Sequence, residues 1–491
     1  MMKSHPDYPK NLVDLSHNFI DGVGQAGGGK TRTLIDPATA QVFATLFDAD
    51  QTQVGQAVSS GKQALPVWAD TPPAKRARVL FRIADMIEAK ADELAAVEAL
   101  NVGKPLSQAK RDVLRAADYF RFYAGCCDKL NGDTIPLGPD QTALTLLEPI
   151  GVTAHILPWN YPISTLARSA GPALAVGATM VAKPSEYTPL TTIMVAQMAF
   201  EAGLPKGAFN VVTGAGDIGE ALASHPDVAH VTFTGSTATG RKIMQSASKP
   251  IAGVTLELGG KSPVVVLGDA DLDAAAAGVV RGIFFNAGQV CAAGARLICE
   301  RSVHDALVKK VIAKAEALSM GHPLDNPDLG PLVSSQQLER VEGFVARAKT
   351  EGLRCATGGH RVCPDGLPNG NFYAPTVFTD VPAQSEIAQQ EVFGPVLITQ
   401  ICDTAEQALE LANGTAFGLV AGIYTADVTQ AMRFARKVEA GQVFINGFLQ
   451  GGDTVPFGGV KESGIGREKG LAGLAAYAAP KSIILNYLDT A

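Results

Sequence analysis

Hydrophobic positions along this chain follow two different periods, and the changes between them mark the elements. From Thr71 and Pro72 onward, apolar residues recur at Val79, Leu80, Ile83, Met86, Ile87, Leu94 and Val97. That spacing predicts one long amphipathic helix. A proline with no N–H to leave unpaired opens it, and Gly103 and Pro105 of "NVGKP" stop it. In the middle of the chain the pattern changes. "GVTAHIL" (151–157), "TMVAKP" (179–184), "AFNVVTG" (208–214) and "AHVTFTG" (229–235) are short, nearly unbroken apolar runs, as in strands buried on both faces. Helix-like stretches at about 163–176, 189–202, 216–224 and 238–247 lie between them. Strands alternating with helices predict the α/β class, with a doubly wound parallel sheet that binds ligands beyond the carboxyl ends of its strands. "SPVVVLGDADLDAAAAGVV" (262–280) restarts the rhythm and opens a further domain. The first 50 or so residues read as turns and short strands. "KSIILNYL" (481–488) reads as an exposed strand, either a lone edge or one that pairs with another subunit.

Length and charge narrow the possibilities. At 491 residues the chain is too long for one core, so two or three domains are expected. A hydrophobic content of 46% with 18% charged residues is ordinary for a soluble enzyme. A net charge of −7 argues against a nucleic-acid partner, and no basic run suits an anionic membrane. The opening "MMKSHPDYPKN" has no apolar run after a basic segment, so no secretory signal is expected. No stretch approaches the roughly 18 apolar residues of a membrane span. The seven cysteines form no paired CxxC pattern, which argues against a disulfide framework or a structural metal site. A reducing cytoplasm is the expected compartment.

The candidate chemistry centres on Cys291, in "FFNAGQVCAAG". A free cysteine is usually a small core hydrophobe. To be a nucleophile it needs ionisation, a stabilised oxyanion and a group that completes turnover. "LELGGKSP" places Glu257 among apolar residues at a strand end, where burial would raise its pKa into the range of a general base. "LPWNYP" places Asn160 after the first strand, with a side-chain amide for an oxyanion. Each alone has a structural explanation. All three fall at strand-to-turn junctions, where such sheets bind ligands.

Two stretches suggest a dinucleotide. Gly214, Gly216 and Gly219 of "TGAGDIGEAL" spell a literal GxGxxG, but the acidic residue expected about 20 positions on is missing, so this loop reads as a tight turn. "VTFTGSTATGRKIM" turns through Gly235 and Ser236 into a helix whose N-terminus offers free N–H groups to a phosphate. In "VAKPSEYTP", Lys183 and Glu186 suit the hydroxyls of a ribose, or else form a solvated charge pair.

Seven segments then stand in an order and spacing that resemble the aldehyde dehydrogenase superfamily over essentially the whole chain. They are "PWNYP", "KPSEYTP", "FTGSTATGRKI", "ELGGKSP", "FFNAGQVCAAG", "EVFGPV" (391–396) and "PFGGVKESGIGRE" (456–468). The resemblance implies two doubly wound parallel-sheet domains with a small β oligomerisation element. The cofactor domain would take 1–125 and 150–255, and the catalytic domain 256–445. The oligomerisation element would take 126–149 and 470–491, and 446–469 would be a substrate-side loop returning to the cofactor domain. Cys291 would be the nucleophile, Glu257 the base for hydrolytic water, and Asn160 with the Cys291 N–H the oxyanion hole. Lys183 and Glu186 would hold the adenosine ribose, Gly235 and Ser236 would face the pyrophosphate, and Glu391 and Phe393 would hold the nicotinamide end. Trp159, Leu258 and Gly259 would complete the dinucleotide site. The Gly214–Gly219 loop would not be the phosphate cradle. Small neighbours Ala292, Ala293 and Gly288 would leave room for substrate and ring.

NAD is expected over NADP, because Glu186 accepts from a free 2′-hydroxyl but repels a 2′-phosphate. Tyr161, Arg168, Phe285, Val290 and Phe457 would line the substrate tunnel. Arg168 stands where semialdehyde-oxidising relatives pair an arginine with a substrate carboxylate. Their second arginine falls on Phe285 here, so aromatic, aliphatic and ω-carboxy aldehydes all stay open. Relatives with a lysine at Ser169 place it near Glu468; here a relay from Glu257 towards Glu468 would run through water or a hydroxyl. A CoA-acylating relative would generally lack Glu257, and a cofactor-free cysteine hydrolase would need a histidine partner. A homodimer or homotetramer paired through the tail strand is expected.

Overall fold

The computed structural model describes residues 17–487. Residues 1–16 of the expected N-terminal segment, and Leu488 of the expected tail strand, lie outside the described residues.

The first large sheet forms as the apolar runs predict, from Val152–Ile156, Thr179–Lys183, Phe209–Val211, Val228–Thr234 and Gly253–Glu257. These five run parallel. Their order places Val152–Ile156 between Thr179–Lys183 and Val228–Thr234. The chain therefore winds outward in one direction and then starts again on the other side of its first strand. The crevice at such a reversal is where open α/β sheets take ligands. Antiparallel strands close both edges: Asn18–Ile20 with Val23–Gln25 on one side, and Gly464–Ile465 against Gly253–Glu257 on the other. Helices Pro162–Val176, Leu190–Glu201, Gly216–Ala223 and Thr237–Ala247 follow the expected stretches within a residue or two at each end.

The second sheet is built from Pro263–Val266, Arg296–Glu300, Thr376–Thr379, Val396–Cys402, Val420–Tyr424 and Gln442–Ile445, with Arg354–Thr357 added antiparallel at its edge. Its central strands are buried, and Val264, Val265, Val266, Leu297 and Ile298 are sealed from solvent.

The expected single helix from Pro72 to Val102 is two helices, Pro73–Ala89 and Ala91–Val102, separated at Lys90, whose backbone leaves the helical region (φ −105°, ψ 23°). The bend carries the second helix inward, so that Leu94 and every residue from Val97 to Val102 are buried. The apolar period continues through the bend, so the pattern alone could not reveal it. Helices Gln51–Ala69 and Leu106–Ala124 were not resolved in the sequence pattern. Asp50 and Gln53 start the first of them with reciprocal side-chain-to-backbone bonds.

The tail strand, Ala478–Asn486, pairs antiparallel within its own chain with Gln141–Pro149, which in turn pairs with Thr134–Gly138. Its outer edge carries no partner strand among the described residues. No helix among them is long and apolar enough to cross a membrane. All seven cysteines are free thiols.

Candidate active site

Glu257 ends a strand of the first sheet, as expected, but Cys291 does not follow a strand. It precedes Arg296–Glu300 at the amino end of the second sheet. The site thus lies where the carboxyl end of one sheet faces the amino end of another.

The loop that presents the sulfur is under local strain. Asn286 (φ 49°, ψ 38°) and Ala287 (φ 52°, ψ 35°) are both left-handed, a conformation costing about 1–3 kcal/mol for a residue with a Cβ. Side chains from elsewhere hold it in place. Gln108 Oε1 accepts from the Asn286 N–H at 3.1 Å, and Asn286 Nδ2 donates to the Asn160 carbonyl at 3.3 Å. Gln289 Oε1 accepts from the Val333 N–H at 2.9 Å. Gly288, also left-handed at φ 73°, lies against the Gly394 backbone, where a Cβ would collide with the carbonyl. Its small size therefore admits a crossing chain, not a substrate. Of the two alanines expected to leave room, Ala292 does line a substrate-sized cavity and Ala293 does not.

Two cavities meet at the sulfur. One, of about 400 Å³, is lined by Trp159, Lys183, Glu186, Gly235, Ser236, Gly259, Glu391 and Phe393. The other, of about 310 Å³, is lined by Tyr161, Arg168, Phe285, Val290 and Phe457. Cys291, Asn160 and Thr234 line both. Burial pushes the Cys291 thiol up to about 11; Arg168 pulls it back, while Glu257 and Glu391 push it further. Asn160 Nδ2 donates to the Gln289 carbonyl at 2.8 Å. That bond fixes the amide and leaves its second hydrogen for another acceptor.

The first cavity is shaped by glycine turns and by side chains together. Lys183 Nζ is buried and donates to the Gly214 carbonyl at 2.7 Å. The Gly214–Gly219 turn is thereby drawn to the cavity wall, with Gly216 and Gly219 in the lining. The Gly235 N–H is spent on the Glu257 carbonyl at 3.0 Å, so Gly235 offers space and not a donor. Ser236 caps the following helix by accepting from the Thr239 N–H at 3.2 Å. Leu258 is core, packed against Gly240, and does not line the cavity. At the far end Glu391 accepts from the Gly260 N–H at 2.9 Å. Burial lifts its carboxyl to about 7, with the Gly260 bond opposing. A Cβ on Gly259 would strike that carboxylate. Phe393 is left-handed at φ 61° and meets the Trp159 ring edge-on at 5.2 Å.

In the second cavity Arg168 is paired with a carboxylate and a hydroxyl, although its Nε makes no hydrogen bond among the described residues. It forms an ion pair with Glu468, donates from Nη2 to Thr234 at 3.2 Å, and stacks over Phe457 at 5.4 Å. Burial lowers the guanidinium's pKa, but Glu468, then Glu257, outweigh it and hold it above its ordinary value. Ser169 faces away, bonded to His155 Nδ1 at 2.9 Å. Glu468 also accepts from Thr232 at 3.1 Å. The groups between Glu257 and Glu468 therefore include a fixed guanidinium, not Ser169. Glu257 itself is buried, its carboxylate beside Gly458 with no hydrogen-bond partner among the described residues, and it lines neither cavity. Burial and the nearby Glu468 hold it well above the usual carboxylate range, against Arg168.

The model of the aldehyde dehydrogenase family matches residues 25–483. The chain belongs to the aldehyde dehydrogenase family. It is 41% identical over 469 residues to a betaine aldehyde dehydrogenase of Cereibacter sphaeroides, covering 95% of this chain and 96% of that one. An NAD-dependent aldehyde dehydrogenase from Sinorhizobium meliloti superposes with a TM-score of 0.94 at 38% identity, over 97% of this chain and 95% of the other. A betaine aldehyde dehydrogenase from Staphylococcus aureus, solved with NAD+, superposes at 0.96 with 35% identity, over 99% and 98% of the two chains. The two parallel sheets are thus the aldehyde dehydrogenase fold.

Sequence reasoning missed several residues of this family member's cavities. Gln337 and Arg340 reach the first, Arg340 donating to the Glu391 carbonyl at 2.7 Å. Arg111, Arg115 and Tyr119 reach the second from helix Leu106–Ala124, and Lys469 from just beyond Glu468. The i, i+4, i+8 spacing of Arg111, Arg115 and Tyr119 was a readable signal of one helical face.

Proposed function

We propose that this enzyme oxidises an aldehyde to the carboxylic acid with NAD, through a covalent adduct on Cys291. The observation that carries the reading is that Cys291 and Asn160 stand where a dinucleotide-sized and a substrate-sized cavity meet.

The first cavity fits a dinucleotide in volume and in donor set. Lys183 and Glu186 lie at one end, a capped helix N-terminus at Ser236 along the wall, and Glu391 and Phe393 at the other end near Cys291. NAD, when bound there, supplies the hydride acceptor. Glu186 favours a ribose with a free 2′-hydroxyl over a 2′-phosphate. The chain's own groups do the rest. The Cys291 thiolate attacks the carbonyl carbon, and the free Asn160 hydrogen with the Cys291 N–H receives the oxyanion. Loss of hydride leaves a thioester on the sulfur. Glu257, with its raised pKa, suits the proton acceptor for water that cleaves the thioester. Its carboxylate, unpartnered beside Gly458, must turn towards Cys291 to do so.

A cofactor-free hydrolase is less well supported, because no histidine lines either cavity among the described residues. Glu257 favours water over CoA as the acyl acceptor. The outer edge of Ala478–Asn486 supports strand pairing with another copy, in a dimer or a dimer of dimers; a monomer in light scattering would refute it. The enzymatic reading is tested with NAD and a panel of aldehydes, with and without CoA. NADH and free acid without CoA are expected. No NADH from any aldehyde, with acid released from an ester or thioester in the absence of NAD, would instead indicate a hydrolase.

A further inference from the structure

We infer that the second cavity takes an aldehyde bearing a carboxylate, held by Lys469 and Arg111 and not by Arg168. This rests on the aldehyde-oxidising reading and adds the substrate class.

The lining of this cavity is rich in positive charge. The lining holds Arg111, Arg115, Arg168, Arg281 and Lys469, against Asp112 as its one carboxylate. Much of this charge is already matched. Glu468 takes Arg168. Asp112 is bound at 2.6 Å by Lys104, a buried cation outside the lining, so it offers little to the cavity. Asp453 takes Arg115 at 3.3 Å. Arg281 has the Phe448 carbonyl at 3.0 Å, a neutral partner. Like Arg281, Arg111 and Lys469 have no carboxylate within ion-pair reach among the described residues, but unlike Arg281 they have no carbonyl partner either. Arg111 lies over Phe285 at 5.4 Å, and Lys469 over Phe457 at 4.9 Å and Tyr119 at 5.9 Å.

Lys469 is left-handed at φ 62°, an unusual conformation for a long side chain, and it stands immediately after the Phe457–Glu468 bridge. The ammonium is half-buried among other cations. Burial, then Arg168 and Arg115, push its pKa down to about 8, with Asp453 and Cys291 opposing. A site short of negative charge is completed by an anion, and the substrate is what enters it.

The same contacts disfavour a quaternary ammonium. Such ligands bind on free aromatic faces. Here Phe457 already carries Lys469 and Arg168, and Phe285 carries Arg111. The proposal therefore ranks betaine aldehyde, the substrate in the relatives' names, below a carboxylate-bearing aldehyde for this cavity.

The test compares kcat/KM for a series of ω-carboxy aldehydes with neutral aldehydes of matched length and with a trimethylammonium aldehyde. The proposal expects the carboxy member to lead by at least tenfold at its best length. It also expects Lys469→Met and Arg111→Gln each to cut the carboxy-to-neutral ratio about tenfold, with Lys469→Arg retaining most of it. A phosphonate analogue distinguishes a carboxylate site from a general anion site: equal preference for it would overturn the carboxylate assignment. Thermal melts and NAD titration check that the variants are folded. An unchanged ratio in folded variants, or a leading trimethylammonium aldehyde, overturns the proposal. If no aldehyde yields NADH, the enzymatic reading fails separately, and glutarate binding by calorimetry still decides the anion site. Glutarate binding weakened about tenfold in Lys469→Met supports it, and equal binding overturns it.

Discussion

The two cavities share Asn160, Cys291 and Thr234, yet they are built differently. The cavity proposed for the dinucleotide includes turns at strand ends, where glycines and backbone groups contribute to the shape. Lys183 bonds a carbonyl, Glu391 a backbone N–H, and Gly259 is small because Glu391 lies against it. The substrate side is made of long side chains from well-separated segments, with ion pairs and cation–ring contacts setting its character. Backbone shape recognises a constant ligand, whereas side chains can change without disturbing the fold. On the proposed reading, the first cavity would take a cofactor shared with relatives and the second the aldehyde particular to this enzyme.

Four changes would break or sharpen that contrast. Cys291→Ala, at the junction, should reduce acid formation by on the order of 10⁴-fold or more while dinucleotide titration still shows binding. Near-parental turnover would remove the covalent mechanism. Asn160→Ala should lower kcat by about 10²–10³ with little effect on the KM for NAD, as for other lost oxyanion donors. A pure KM effect would instead make Asn160 a scaffold for the Cys291 loop. Gly259→Ala acts on one cavity only. Overpacking against Glu391 at about 1–3 kcal/mol should raise the KM for NAD about tenfold and leave the ranking of aldehydes intact. A changed ranking would mean that the two cavities are not separable.

The smallest effect is in pH. Lys469 is charged below about 8 and neutral above it. It faces Arg168, Arg115, Asp453 and Cys291, and loss of its proton would remove one of the two proposed anion partners and leave Arg111. The carboxy-to-neutral ratio of kcat/KM should be highest below about pH 8 and fall a few-fold as pH rises through it, because kcat/KM follows the free enzyme. Titration of Cys291 or Glu257 would move both substrates and cancel in the ratio. A ratio that is flat with pH would assign the carboxylate to the arginines alone.

What could be read in advance divides along the same line. Glycine turns, the Ser236 cap and the loop around Cys291 are contiguous in sequence, so their spacing survives as a pattern. Tyr161, Arg168, Phe285, Val290 and Phe457 were located through the family resemblance, but what Arg168 does there was not legible. Whether it meets a substrate or Glu468 depends on a contact across 300 residues of separation (468 − 168). Lys90 likewise breaks a helix whose apolar period runs on unchanged.

By itself the sequence determined the alternation of strands and helices, the first parallel sheet and the segments that belong to the family, because those rest on local periodicity and on short contiguous turns. Only the tertiary structure decided that Cys291 faces the first sheet from the amino end of the second, and that Glu468 takes Arg168. It also decided that Arg111 and Lys469 are left without a carboxylate. Charge pairing acts through space over a few ångströms, and no one-dimensional spacing encodes which distant residue fills that distance.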